Sequence, residues 1–363
     1  MIDTIAIMSP PLKENILSQL EGKTKICMEI DRTTGEQREF IPYGKVSNEL
    51  EVPINYRIYR MAGESRIRLE SSIHKLMAGH NTYGGPKEFH ASAAFLVEEF
   101  ERLMGINLPP VMDWNVQRVD VEEFYKLDNS SQPEAWFNTM RNAYFPRRKL
   151  NYYVDSIWIS GGTSVVKFYN KGIELCSNKN DRKRLIKQMG LMGYARLVFM
   201  GYSIIKVEVQ IKRDKFKYDL GVNPTVKDIT DDYLCHIHDA EVKKFLKDSR
   251  GAIDLVRHSD QVYDRLRAFY KPVLAGSLFE FWQNLSRKGE VIIRKSMAKS
   301  TYNRQLKELR DAGVDWKVNA FSTPEYSAIP ADFAPVRGNK YHRNTSLGVV
   351  EQKLSPYLNK GSS

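Results

Sequence analysis

Apolar positions along this chain recur with two periods, and the switch between them marks the elements. Strand patterns occur in MIDTIAI at the start, at 25–31, 54–59, 65–71, in NVQRVDVEEF from Asn115, and at 152–160, 164–169 and 204–212. Side chains of a strand alternate between the two sides of a pleat, so such segments present one polar and one apolar face. Helical spacing appears in Leu12, Ile16 and Leu20, and most clearly over 86–104, where Phe89, Ala93, Leu96, Val97, Phe100 and Met104 make one stripe after Pro86. Ser131-Gln132-Pro133-Glu134 has capping-box spacing and predicts a helix to about Asn142, and a basic helix is predicted around 183–189. Gly161-Gly162 predicts a hairpin between the strands on either side of it.

Strands mixed with helices in two cycles predict an α+β domain over 1–222, an antiparallel sheet with covering helices. After Asn223-Pro224 the pattern turns helical, at 239–247, 251–269, 276–285 and 297–316. In the last segment Tyr302, Leu306 and Leu309 share a face, Arg304 and Lys307 lie off it, and Gly313 is a stop signal. A basic helix after a shorter one has the layout of a helix-turn-helix reader, with a basic amphipathic surface helix as the plainer alternative. The region 223–337 is thus expected to be mainly helical and is a candidate DNA-binding region, and 338–363, polar, basic and ending in Gly-Ser-Ser, is expected to be a flexible tail.

Composition sharpens the question of partners. With 55 Lys and Arg against 44 Asp and Glu among 363 residues, the net charge is +11, which suggests an anionic partner. The three cysteines, Cys27, Cys176 and Cys235, are far apart and odd in number, against a disulfide framework. No run of about 18 apolar residues occurs and MIDTIAIMSPPL lacks a basic leader, so a soluble cytoplasmic protein is expected.

Four patches could carry chemistry. In SVVKFYNKGIEL, alternation puts Lys167, Tyr169 and Lys171 on one face, with Glu174 following. A hydroxyl between cations is a candidate nucleophile, and a tyrosine ring packed on a sheet is the bland reading. On the strand from Asn115, Arg118, Asp120 and Glu122 share a face, either solvated with Arg118 as counter-ion or gathered around a divalent ion. Glu208 shares a face with Lys206, Gln210 and Lys212, and His80 and Asn81 stand in the glycine-rich loop GHNTYGG. If the strands bearing Asp120, Tyr169 and Glu208 are neighbours, two carboxylates and a tyrosine meet above one sheet. A phenol, which ordinarily ionises only at about pH 10, attacks a phosphodiester only with help: a hard cation on the phosphate, or a lysine favouring phenolate. Cys235-His236-Ile237-His238 spells a His-hydrophobic-His metal motif, but it lies outside the sheet region and is read as coincidence.

The ordered set MID, KLMAGHNTYGG, VQRVDV, VKFYNKGIEL, IIKVEVQIKRDKFKYDLG and STYNRQLKELRDAGVD resembles, over residues 1–316, the filamentous-phage gene II replication initiator proteins. The resemblance implies a relative of the HUH endonuclease fold. It further implies a rolling-circle initiator that nicks one strand of circular double-stranded DNA at the origin through a 5′-phosphotyrosine and rejoins the displaced strand. The motifs place Tyr169, Lys171 and Arg118 as catalytic, Asp120 and Glu208 as ligands of Mg²⁺ or Mn²⁺, and Glu122, Glu174 and His80 as support. Asn81, Lys167, Lys212, Arg304 and Lys307 are expected on DNA. The implied partners are origin duplex, displaced single strand, and host helicase and polymerase. A non-catalytic DNA-binding regulator and a nuclease that uses water are the competing readings.

Overall fold

The computed structural model describes residues 1–24, 28–30, 37–39, 43–61, 63–126, 133, 137, 148–153, 155–221, 223–253, 259–288, 290–314, 316 and 346–358. Its strands are β1 (Ile2–Met8), β2 (Met28–Ile30), β3 (Gln37–Glu39), β4 (Tyr43–Ser47), β5 (Pro53–Met61), β6 (Glu64–Ser72), β7 (Asn115–Lys126), β8 (Lys149–Tyr152), β9 (Ser156–Ser160), β10 (Ser164–Asn170) and β11 (Ile204–Lys212). Its helices are α1 (Glu14–Glu21), α2 (Ile73–Ala78), α3 (Phe89–Met104), α4 (Lys171–Ser177), α5 (Lys179–Tyr202, broken at Gly190), α6 (Arg213–Leu220), α7 (Asp231–Ile253), α8 (Ser259–Phe269), α9 (Pro272–Lys288), α10 (Glu290–Ser296), α11 (Lys299–Asp311) and α12 (Ser346–Leu358).

Nine strands form one sheet in the order β4-β5-β6-β1-β7-β11-β10-β9-β8, every neighbouring pair antiparallel, while β2 and β3 pair separately. The class is α+β, with a helical C-terminal region. Alternation decides which face is which. Ile5, Ile7, Leu69, Val119, Val121, Val166, Phe168, Val207, Val209 and Ile211 are buried in one core with Phe89, Leu96 and Phe100 of α3 and Phe216 of α6. Of the intervening residues, Arg57, Arg68, Arg118, Lys167 and Trp158 stay at least partly exposed on the other face, whereas Asp120, Glu122, Lys206 and Glu208 are buried there. A slip of one residue in any of these pairings would exchange the faces, so the hydrophobic set pins the register.

Several expectations shift. The single strand predicted over 152–160 is two, β8 and β9, and the helix predicted over 131–142 falls almost wholly outside the described residues. The first core does not end at 222: Val226, Ile229, Leu234, Ile237 and Val242 belong to it. His236 and His238 lie on α7, not on a strand; two residues apart on a helix they face different ways, with His238 buried and His236 exposed, so the two rings do not make a joint metal site. Arg304 and Lys307 are exposed on α11, whose other face places Tyr302, Leu306 and Leu309 in a second core with Leu278, Phe281 and Trp282 of α9. Gly313, in the left-handed region at φ 69°, ends α11, and the Val314 amide donates to the Leu309 carbonyl at 2.9 Å.

The expected flexible tail contains α12. Val350, Leu354 and Tyr357 recur at helical spacing within a polar segment; the first two are 2 % exposed in the first core, and Tyr357 meets Phe95 of α3 edge-on at 6.1 Å. Overall polarity hid this short stripe. Truncating Leu354 to alanine should therefore cost about 2–4 kcal/mol in urea denaturation, whereas a loose tail would register no change.

Candidate active site

The polar face is sharpest where β1, β7, β11 and β10 run side by side. Glu208 on β11 stands opposite Glu122 on β7 and Lys167 on β10; Lys206 stands opposite Tyr169, and Gln210 opposite Asp120. The two predicted carboxylates are thus diagonal neighbours on adjacent strands, with the tyrosine one strand further. The Tyr169 hydroxyl donates to Glu208 Oε2 at 3.3 Å, and Lys167 Nζ donates to Glu208 Oε1 at 2.5 Å. Arg118 forks onto Asp120, its Nε donating to Oδ1 at 2.7 Å, and reaches Glu70 Oε1 at 3.0 Å. The strand adjacency on which the expected chemistry depends is present.

Beside this row, on the same sheet face, lies a buried ionic knot. Lys206, with no exposed side-chain surface, contacts Glu122 Oε2 and donates to Asp3 Oδ2 and the Asn81 carbonyl. Glu122 Oε1 also lies 2.6 Å from His74 Nδ1, and His74 Nε2 lies 2.8 Å from the Tyr83 carbonyl. Asp3 accepts from Ser72 Oγ at 2.8 Å and Asn81 Nδ2 at 3.1 Å. In an unbroken strand Asp3 would share the apolar side with Ile5 and Ile7, but the register between β1 and β7 shifts at this residue, and the bulge re-aims its carboxylate. The glycine-rich loop closes over the knot because Gly85 has no Cβ: one there would sit 2.8 Å from His74 Nδ1 and 2.9 Å from Glu122 Oε1.

The second predicted lysine enters from the end of β10. Asn170 caps α4 by accepting the Ile173 amide, which turns Lys171 inward, where its Nζ donates to Asn81 Oδ1 at 2.7 Å and Glu174 Oε2 at 2.6 Å. The ammonium groups of Lys171 and Lys206 lie 5.9 and 5.8 Å from the centroid of the Tyr169 ring.

The charges around the tyrosine oppose one another. Burial, then Glu208, Glu174, Asp3 and Glu122, push the Tyr169 phenol well above the ordinary tyrosine range. Lys171 and Lys206 stand near the ring and are themselves held by Glu174, Asp3 and Glu122, so their pull towards phenolate is outweighed by burial and these acidic neighbours. Burial would raise Glu208, but Lys167 and Lys206 outweigh it and hold this carboxyl below its usual range. Asp120 is pushed well above its usual range by burial and by the charge of Glu208, against the pull of Arg118. Burial drives Lys171 down despite Glu174.

Three other expected roles look different in place. Asn81, expected on DNA, is 5 % exposed with both ends of its amide engaged inside the knot. Lys212 donates to the Gly161 carbonyl at 2.8 Å and so ties β11 to the β9–β10 turn. His80 is buried, its Nδ1 accepting from the Thr82 amide at 3.3 Å, with its ring 5.0 Å from that of Tyr83. Sequence reasoning missed Asp3, His74 and Lys206 as members of one cluster; a charged residue in the otherwise apolar IDTIAIM was the available signal for Asp3.

Among the described residues no group of three or more His, Cys, Asp or Glu side chains is arranged to hold a metal. Asp120 and Glu208 still offer oxygen donors of the kind hard divalent cations take, and Mg²⁺ commonly binds one or two carboxylates with substrate phosphate and water completing the shell. The chemistry of these oxygen donors is what fits a cation there, with Arg118 and Lys167 now holding them.

A basic α+β protein thus gathers a half-buried tyrosine, an ionised glutamate and an arginine-held aspartate on the polar face of an antiparallel sheet, with both carboxylates buried. The family model for the N-terminal part of the phage gene II replication-associated protein matches residues 1–217 of the 363, and the chain belongs to this family of phage replication proteins. No curated protein and no solved structure matches it. Among the described residues no helix is long and apolar enough to cross a membrane.

The knot makes its own prediction. Burial would raise Asp3, yet Lys206, Lys75 and His74 hold its carboxyl well below the usual aspartate range. Its stabilisation is therefore complete above the unfolded-state value near pH 4 and is lost as pH falls through that range towards the lowered folded value. Asp3→Asn should cost about 3 kcal/mol near neutrality, with the gap to the parent protein narrowing below about pH 4 in urea titrations; a gap independent of pH would show that the carboxylate charge is not what stabilises.

Proposed function

We propose that this protein initiates rolling-circle replication of circular phage DNA, nicking one strand of the origin through Tyr169 and later rejoining the displaced strand. The observation that carries the proposal is the Tyr169 hydroxyl donating to Glu208 at 3.3 Å on the polar sheet face of a phage replication family member. Tyr169 Oη attacks phosphorus; the Oη–P bond forms, the P–O3′ bond breaks, and the strand leaves with a free 3′-oxygen that is protonated from water. Glu208, ionised and already accepting the hydroxyl's hydrogen bond, is the nearest base for the phenolic proton, which suits a phenol that stays neutral until attack. Lys171 and Lys206 flank the ring, and Arg118 orients Asp120. Bound Mg²⁺ or Mn²⁺, held by Asp120 and Glu208, would supply Lewis-acid charge to the scissile phosphate. Because the phosphotyrosine conserves the bond, attack by a 3′-hydroxyl reverses the step and closes a circle.

In this reading the sheet with its helices is the nicking unit, of HUH type, and the 259–316 helices with exposed Arg304 and Lys307 hold origin duplex. Host helicase and polymerase would act on the nicked product in the bacterial cytoplasm. Tyr169→Phe should abolish the covalent protein–DNA adduct on supercoiled origin DNA while leaving DNA binding intact, and Glu208→Gln should slow adduct formation by about 10²–10⁴-fold. An adduct that still forms in Tyr169→Phe assigns the nucleophile elsewhere; nicking without any adduct supports a water-using nuclease, and binding without nicking supports a regulator.

A further inference from the structure

The same sheet face carries a feature that the nicking chemistry does not use. On β9, Ile157 and Ile159 are buried in the core, while Trp158 between them points outward and is 39 % exposed. The core does not need this side chain, and an aromatic of that size on an outer strand face is costly to leave in water. Trp158 stands directly opposite Lys167, as Ser156 stands opposite Tyr169, so indole and phenol share a face. Beside it Tyr153, just past the end of β8, is 51 % exposed, and the two rings lie 5.9 Å apart at 65°. Lys167 joins this pair to the reacting group: its Nζ is 5.3 Å from the indole centroid and 2.5 Å from Glu208, whose other oxygen takes the Tyr169 hydroxyl.

We infer that Trp158 and Tyr153 form a stacking platform for an unpaired base of the DNA strand next to the phosphate attacked by Tyr169. The inference rests on the proposed nicking reading and specifies its substrate: the strand must be locally single-stranded, because a base inside a duplex has both faces covered. Exposed rings beside a cation are what single-strand recognition uses, the rings taking base faces and the cation the backbone. The net charge of +11 and the adjacent Lys167 give the surface the complementary sign. Lys167 then has two neighbours to serve, the platform and Glu208, which ties the position of a stacked base to that of the nucleophile.

The test is equilibrium binding by the full chain of a fluorescent single strand of about 16 nucleotides, the upper end of ordinary site sizes, against the same sequence as duplex, over a series of salt concentrations. Trp158→Ala should weaken single-strand binding about tenfold and Tyr153→Ala several-fold, with the slope against log salt unchanged because no ion contact is removed. Trp158→Phe should retain most of the affinity, and duplex binding should stay within about twofold. Unchanged single-strand affinity in both alanine variants, or equal losses on single strand and duplex, would overturn the platform. Binding is read without nicking, so the two readings fail separately: an adduct persisting in Tyr169→Phe removes the nucleophile and leaves a platform that still discriminates single strands.

Discussion

The site depends on one buried charge. The Lys206 ammonium, with no exposed surface, is held among Asp3, Glu122 and the Asn81 carbonyl. A lysine at such depth is tolerated only with ionic partners and hydrogen bonds around it, and removing one partner leaves the rest uncompensated. Its partners come from β1, β7 and the glycine-rich loop, and Lys206 itself from β11, so satisfying one charge fixes four segments relative to one another. Tyr169 stands directly opposite Lys206 in the β10–β11 register and cannot take another position without breaking that pairing.

The proposed function rests on how charge is divided between two groups on one sheet face. Around Lys206 the lysines, the carboxylates of Asp3, Glu122 and Glu174, and Asn81 compensate one another next to the tyrosine ring. Next to them Lys167 holds Glu208 ionised and Arg118 pairs with Asp120. In the proposed reaction the phenol starts neutral and its proton passes to Glu208 during the attack, which suits a nucleophile that stays inert until a phosphate is bound.

Much of this was legible in the sequence, for a physical reason. The strict alternation of IIKVEVQIK and VQRVDVEEF assigns each residue to a face, so the shared face of Arg118, Asp120, Glu208, Lys167 and Tyr169 followed once the strands were neighbours. The order of nine strands was not legible, because antiparallel pairs such as β1 with β7 join residues more than 100 positions apart and leave no local signal. Asp3 was missed because its direction is set by a bulge that breaks the alternation used to read the strand. Asn81 was expected on DNA because a polar residue in a glycine-rich loop reads as exposed, whereas the loop here folds inward and its side-chain and backbone oxygens meet two lysines. The α12 stripe was too short to stand out against a polar tail.

The central claim is that one residue of the sheet, Tyr169, carries the DNA. Its most direct test is to trap the protein on supercoiled origin DNA with Mg²⁺ or Mn²⁺, digest both components, and map the nucleotide-bearing peptide by mass spectrometry. A single phosphotyrosyl adduct is expected on the peptide that spans β10 and the start of α4, at Tyr169. A nucleotide on any other residue, Tyr153 included, would contradict it.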